Sequence, residues 1–125
     1  MSNNKKKVLI VDDNKFTRLR LRNLINGTNF AICVGEASNG YEAVTLYKKL
    51  APDLTTMDIV MPKMNGIDAI ERIMKINKHA NIIVVSAIGQ QMIIFEALMK
   101  GAKDFVRKPI IEEYFKHILE NLLLT

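Results

Sequence analysis

The chain has 125 residues, 49% of them hydrophobic and 25% charged, which fits one globular domain with a real core and excludes a disordered or fibrous chain. Its longest apolar runs are far short of the roughly 20 residues a membrane span needs, and the MSNNKKK start lacks the apolar centre of a signal peptide. Lys and Arg outnumber Asp and Glu by 18 to 13, but no aromatic residues interleave with the bases, so Lys15, Arg18, Arg20 and Arg22 read as a solvated helix face rather than a nucleic-acid surface.

VLIV (8–11) reads as a buried strand, and it runs straight into two carboxylates, Asp12 and Asp13. Adjacent like charges at the edge of a core are costly unless a cation or hydrogen-bond donor compensates them. Asn14 caps a helix to about Asn26, stopped by Gly27. AICVGEA (31–37) is a second strand, and its Cys33 reads as a small buried hydrophobe. A single cysteine cannot form an internal disulfide and points to the reducing cytoplasm.

Asn39 and Gly40 open a helix to about Leu50, which Ala51-Pro52-Asp53 ends. DLTTMD (53–58) is a third, more polar strand, and MPKMNG a loop. Helix three covers about Ile67 to Asn77, and NIIVVSA (81–87) is the fourth strand. Helix four runs from about Gln90 to Lys100 and ends at Gly101; KDFVR (103–107) is the fifth strand. Lys108-Pro109 is a turn, and the last helix spans about Ile111 to Leu124, with LLLT as its end. Short apolar strands alternating with helices predict a doubly wound α/β fold with a parallel sheet covered on both faces. One domain over residues 1–125, with no output domain, is expected.

Ligands of such a sheet bind beyond the carboxyl ends of the strands. Strand one ends in Asp12-Asp13, strand three in Asp58 and strand four in Ser86, and strand five runs into Lys108. Carboxylates without His or Cys form a hard, all-oxygen site, which suits Mg²⁺ and phosphoryl oxygens. Lys108 adds a positive charge and Ser86 a hydroxyl donor. Asp58 stands alone on a central strand and is the candidate nucleophile for an acyl phosphate, leaving the Asp pair to hold the metal. Singly, these signals are weak: Asp13 also fits a helix cap, and Lys-Pro a plain turn. Their conjunction at the correct strand ends carries the reading.

Helix four holds more apolar residues than one buried face needs. At 100° per residue, Ile93, Ile94, Ala97 and Leu98 face the sheet, while Met92, Phe95 and Met99 fall on the other side. An outward Met/Phe stripe, extended by Ile111 and Tyr114, reads as a docking surface for an apolar partner helix or a second copy of the chain.

VDD at 11–13, MDIVMPKMNG at 57–66, Ser86-Ala87 and Lys108-Pro109 resemble the receiver domains of two-component response regulators, and the resemblance covers essentially the whole chain. VSAIGQQ and GAKDFVRKP resemble its single-domain chemotaxis branch, CheY-like, of the Bacillus and Thermotoga type. The resemblance implies a flavodoxin-like fold with strand order 2-1-3-4-5. It implies a phosphoacceptor at Asp58 and direct Mg²⁺ ligation by Asp13, helped by the Val60 carbonyl, with Asp12 acting mainly through water. Ser86 matches the switch hydroxyl, Lys108 the family's cation and Phe105 the aromatic switch; the bond before Pro109 is expected to be cis. The implied donor is the phosphohistidine of a chemotaxis-type sensor histidine kinase. The implied output is a helix 4–strand 5–helix 5 face that binds a flagellar-motor switch protein or another output protein. A homodimer on phosphorylation and a phosphatase are further expected partners; a membrane is not.

At the position of Val60 many relatives carry a polar or small side chain, and the position of Ile88 varies widely; two bulky apolar residues beside the path of the hydrolytic water predict slow loss of the phosphoryl group. The implied protein is a phosphoacceptor switch and not an enzyme. Other readings stay open. One is a receiver cut from a longer DNA-binding regulator. Another is an aspartyl-phosphate phosphatase, although its nucleophile is expected in an Asp-x-Asp pair on strand one. A nucleotide or flavin binder would need glycines after strand one, where there are none.

Overall fold

In the computed structural model, which describes residues 4–124, the strands are β1 (Lys6–Val11), β2 (Ala31–Ala37), β3 (Leu54–Met57), β4 (Ile82–Ser86) and β5 (Asp104–Arg107). The helices are α1 (Lys15–Asn26), α2 (Gly40–Leu50), α3 (Gly66–Ile76), α4 (Gln91–Lys100) and α5 (Glu112–Leu123). The strands pair in parallel, in the order β2-β1-β3-β4-β5 of a flavodoxin-like sheet. The MSN start and the final Thr of LLLT lie outside the described residues.

Side chains alternate across a strand, so each buried strand feeds two cores. Leu9, Val11, Met57 and Val84 pack with Ile70, Ile73 and Ala97 on the side of α2, α3 and α4. Val8, Ile10, Leu54 and Ile83 pack with Leu21, Phe115 and Leu119 on the side of α1 and α5. This is why VLIV and IIVV are apolar throughout rather than alternating. Among the described residues no helix is long and apolar enough to cross a membrane.

Several local expectations are corrected. β1 starts at Lys6, not Val8, because Lys6 and Lys7 pair with Ala31 and Ile32 despite their charge. Gly27 does stop α1 after Asn26 as expected, but with φ −75°, so the stop does not use a left-handed glycine. Instead the Thr28 hydroxyl donates to the Ile25 carbonyl at 2.8 Å and accepts from the Ala31 N–H at 3.1 Å, tying off the helix end. At the end of α2 it is Ala51, ahead of Pro52, that turns left-handed, with φ 45°. Cys33 is only half-buried, because β2 is an edge strand, and burial still raises its thiol pKa. The basic stripe of α1 is not simply solvated: Arg18 and Arg22 both pair with Glu36 on β2, and Arg20 donates to the Ile110 carbonyl at 3.3 Å.

Candidate functional site

Where β1 leaves the sheet, the protein holds Asp12 at every polar group. Its N–H donates to the Ala37 carbonyl at 3.0 Å, extending the β1–β2 ladder by one bond. Its Oδ1 accepts from the Asn14 N–H at 2.9 Å, its Oδ2 lies 2.8 Å from Lys108 Nζ, and its carbonyl accepts from Arg18 Nη1 at 2.7 Å. Asp12 is buried while the next residue, Asp13, is exposed.

Asp58 follows β3 and is 6% exposed. Its N–H donates to the Val11 carbonyl at 3.0 Å, which sets it beside the end of β1. Its Oδ1 accepts from the Ile59 N–H at 2.8 Å, and its Oδ2 lies 3.4 Å from Lys108 Nζ. The Lys108 N–H donates to the Ser86 carbonyl at 3.0 Å, which ties its backbone to the end of β4. The Lys108–Pro109 bond is cis, as expected. Ser86, buried at the end of β4, accepts at Oγ from the Ile88 N–H at 3.3 Å. Asp12, Asp13 and Asp58 each bring a carboxylate oxygen within 4.8 Å of the others.

The electrostatics follow from this crowding. Burial first, and the Asp12 charge second, push the Asp58 pKa above the usual aspartate value; Lys108, Ser86 and the Ile59 N–H oppose the rise. Burial works against the Lys108 ammonium, but Asp12 and Asp58 outweigh it and raise its pKa. Three carboxylates facing one ammonium leave a formal deficit of two positive charges. The donor set is oxygen only, and the raised Asp58 pKa shows that the fold alone does not compensate its charge. Both features fit a hard divalent cation such as Mg²⁺.

Sequence reasoning passed over two features of this site. Gly66 opens α3 so close to the strand that a Cβ there would collide with the Asp58 carbonyl oxygen, an approach only glycine permits. The glycine of MNG was legible as a turn signal, but not as a close approach. The Arg18–Glu36 pair had no sequence signal, since its members lie on different elements.

The remaining predicted residues lie further out. Val60, 59% exposed, and the half-buried Ile88 line one groove of about 350 Å³ together with Ile59, Met61, Ile67 and Ile93. Phe105 is half-buried against the core under α4. Met92, Phe95 and Met99 are 77%, 59% and 69% exposed, and Ile111 and Tyr114 are exposed at the start of the last helix. Leu98, expected to cover the sheet, is itself 42% exposed; Ala97 is buried, with Ile93 half-buried against the core. The apolar surface of α4 is therefore wider than the sequence pattern indicates.

The chain belongs to the response regulator receiver domain family, which it matches over residues 8–120. Within that family it is CheY-like. It is 57% identical over 104 residues to the chemotaxis protein CheY of Thermotoga maritima, covering 83% of this chain and 86% of that one. It is 43% identical over 114 residues to the CheY of Listeria monocytogenes, covering 91% and 95%. Among solved structures it superposes on the CheX–CheY–BeF3–Mg²⁺ complex from Borrelia burgdorferi with a TM-score of 0.90, at 34% identity, covering 96% of this chain and 90% of that one. The chain is thus the receiver domain of a CheY-like chemotaxis response regulator, of a type that acts as a phosphoacceptor switch.

Proposed function

We propose that Asp58 accepts a phosphoryl group from the phosphohistidine of a chemotaxis sensor kinase in the cytoplasm, and that the protein works as a single receiver domain. The observation that carries the reading is the Lys108 ammonium, 2.8 Å from Asp12 and 3.4 Å from Asp58, in a pocket where three carboxylates converge within 4.8 Å. In the transfer an Asp58 oxygen attacks phosphorus. The new O–P bond forms as the P–N bond to histidine breaks, and the imidazole leaves with a proton from solvent.

Asp12, Asp13, Asp58 and the Val60 carbonyl would hold Mg²⁺. Bound there, Mg²⁺ neutralises charge on the transferring phosphoryl oxygens. The Borrelia complex, which contains Mg²⁺, supports that assignment by likeness.

Phosphorylation adds roughly 1.5 to 2 negative charges and strong acceptor oxygens. Lys108 and the Ser86 hydroxyl then gain a common partner. Ser86 lies two residues before Ile88, whose N–H it already accepts, so its rotation draws the loop before α4 inward. Phe105, half-buried under α4, fills the space this opens. The output is the α4–β5–α5 face with Met92, Phe95, Met99, Ile111 and Tyr114. Its partners are a flagellar-motor switch protein or another output protein, and a phosphatase; likeness to a CheY held in complex with CheX supports the binding of a protein partner.

The test is Mg²⁺-dependent phosphorylation by acetyl phosphate, read by intact mass on the wild type and Asp58→Asn, with sizing of the products. One phosphoryl adduct that needs both Mg²⁺ and Asp58 is expected; no adduct, or an adduct on Asp58→Asn, overturns the proposal. A shift in sizing would identify a second copy of the chain as partner. Phe95→Asp should weaken binding of the output partner and leave the adduct intact.

A further inference from the structure

Asp13 is exposed, and among the described residues its side chain makes no hydrogen bond or ion pair. With no side-chain partner, its carboxylate is held in place only as far as its backbone is. That backbone begins with the Asp12–Asp13 peptide, whose carbonyl oxygen accepts from Arg18 Nη1 at 2.7 Å. A charged donor at that distance is among the stronger protein hydrogen bonds.

Arg18 is itself held. Its Nε donates to Glu36 Oε1 at 3.0 Å, and the other Glu36 oxygen pairs with Arg22. The Arg18 and Glu36 side chains are only 20% and 21% exposed, so this is more than a loose surface pair. Glu36 precedes Ala37, whose carbonyl receives the Asp12 N–H. The end of β2 therefore grips the Asp12 backbone twice, directly through Ala37 and indirectly through Glu36 and Arg18.

We infer that Arg18, oriented by Glu36, is a positioning residue that aims the Asp13 carboxylate at the metal; this rests on the Mg²⁺ reading above. The guanidinium uses two edges on two acceptors, the Glu36 carboxylate and the Asp12 carbonyl. Lysine carries the same charge but cannot reproduce that fork. Charge alone predicts the opposite effect: a cation behind a metal site repels Mg²⁺, so its removal should tighten binding. The two roles therefore differ in sign.

The experiment is Mg²⁺ titration by calorimetry on the wild type, Arg18→Ala, Arg18→Lys, Glu36→Gln and Asp13→Asn, with thermal melts of each. Loss of an outer partner of a metal ligand typically costs 10- to 100-fold in affinity. Both Arg18 variants should bind Mg²⁺ about tenfold more weakly, and Glu36→Gln should be weakened less. In the Asp13→Asn background, Arg18→Ala should cause no further loss, because its effect passes through Asp13. Unchanged or tighter binding by Arg18→Ala overturns the inference, as does a full additional loss in the Asp13→Asn background. If Arg18→Ala does not fold, Arg18→Lys and Glu36→Gln decide by the same criterion. A wild type that takes no Mg²⁺ refutes the metal reading itself, a failure distinct from equal affinities in wild type and variants.

Discussion

Replacing Lys108 by Met tests the electrostatic design of the pocket. Nζ lies 2.8 Å from Asp12 Oδ2 and 3.4 Å from Asp58 Oδ2, and its side chain is 21% exposed. At an effective dielectric near 20, each contact is worth roughly 5 to 6 kcal/mol of Coulomb attraction. Desolvation of the three groups and repulsion between the carboxylates return most of it. Breaking a fully buried pair costs about 3–5 kcal/mol, and partial exposure brings the expected loss to about 2–3 kcal/mol at neutral pH.

The pH dependence has a definite sign. The folded-state pKa of Lys108 lies above its unfolded value of 10.5, so its contribution is fully present below that value and lost as pH rises through the folded pKa. In Lys108→Met, Asp58 is left facing the Asp12 charge without its ammonium, and protonation of Asp58, whose pKa is already raised, relieves the repulsion. The deficit against wild type should therefore shrink as pH falls from 7.5 towards 4. Saturating Mg²⁺ should also restore part of it. Urea denaturation at several pH values, with and without Mg²⁺, measures all three effects. An equal deficit at pH 7.5 and 4.5, or none at either, would refute the reasoning.

Asp58→Asn should raise the melting temperature of the metal-free protein at pH 7.5. The folded-state pKa of Asp58 lies above its ordinary value of 3.8, so this carboxylate costs stability once pH rises past that value. The gain should fade towards pH 4; a melting temperature at or below wild type at pH 7.5 would contradict it. Val60→Asn should accelerate decay of the Asp58 phosphoryl group severalfold, because Val60 and Ile88 line one groove and present apolar side chains there; an unchanged decay constant would remove that role. Thr56→Val should stabilise the protein by about 1 kcal/mol in urea, because the Thr56 hydroxyl is fully buried without a hydrogen-bond partner among the described residues; a loss instead would mean the hydroxyl is satisfied.

Much of this protein was legible in one dimension. The runs VLIV and IIVV are apolar at every position, which only a strand covered on both faces requires, and the helices between them force a parallel sheet. Polar residues at the carboxyl ends of those strands then had to meet, so Asp12, Asp13, Asp58, Ser86 and Lys108 could be assigned to one end of one sheet. Such inferences rest on local periodicity and chain connectivity, which the sequence contains in full.

What the sequence did not contain depends on distances between elements far apart in the chain. The surface of α4 was legible as a stripe, but Leu98 joins it because α4 buries little more than Ala97. The requirement for glycine at position 66 appears only when α3 meets the Asp58 carbonyl. Arg18 looked like one of four bases on a solvated helix face until α1 packed beside β2 and brought Glu36 within 3.0 Å. Identity and order along the chain decide which groups reach the pocket. The packing of α1 against β2 and of α3 against β3 decides what holds them there, because hydrogen bonds and close contacts act over about 3 Å and carry no trace in residue spacing.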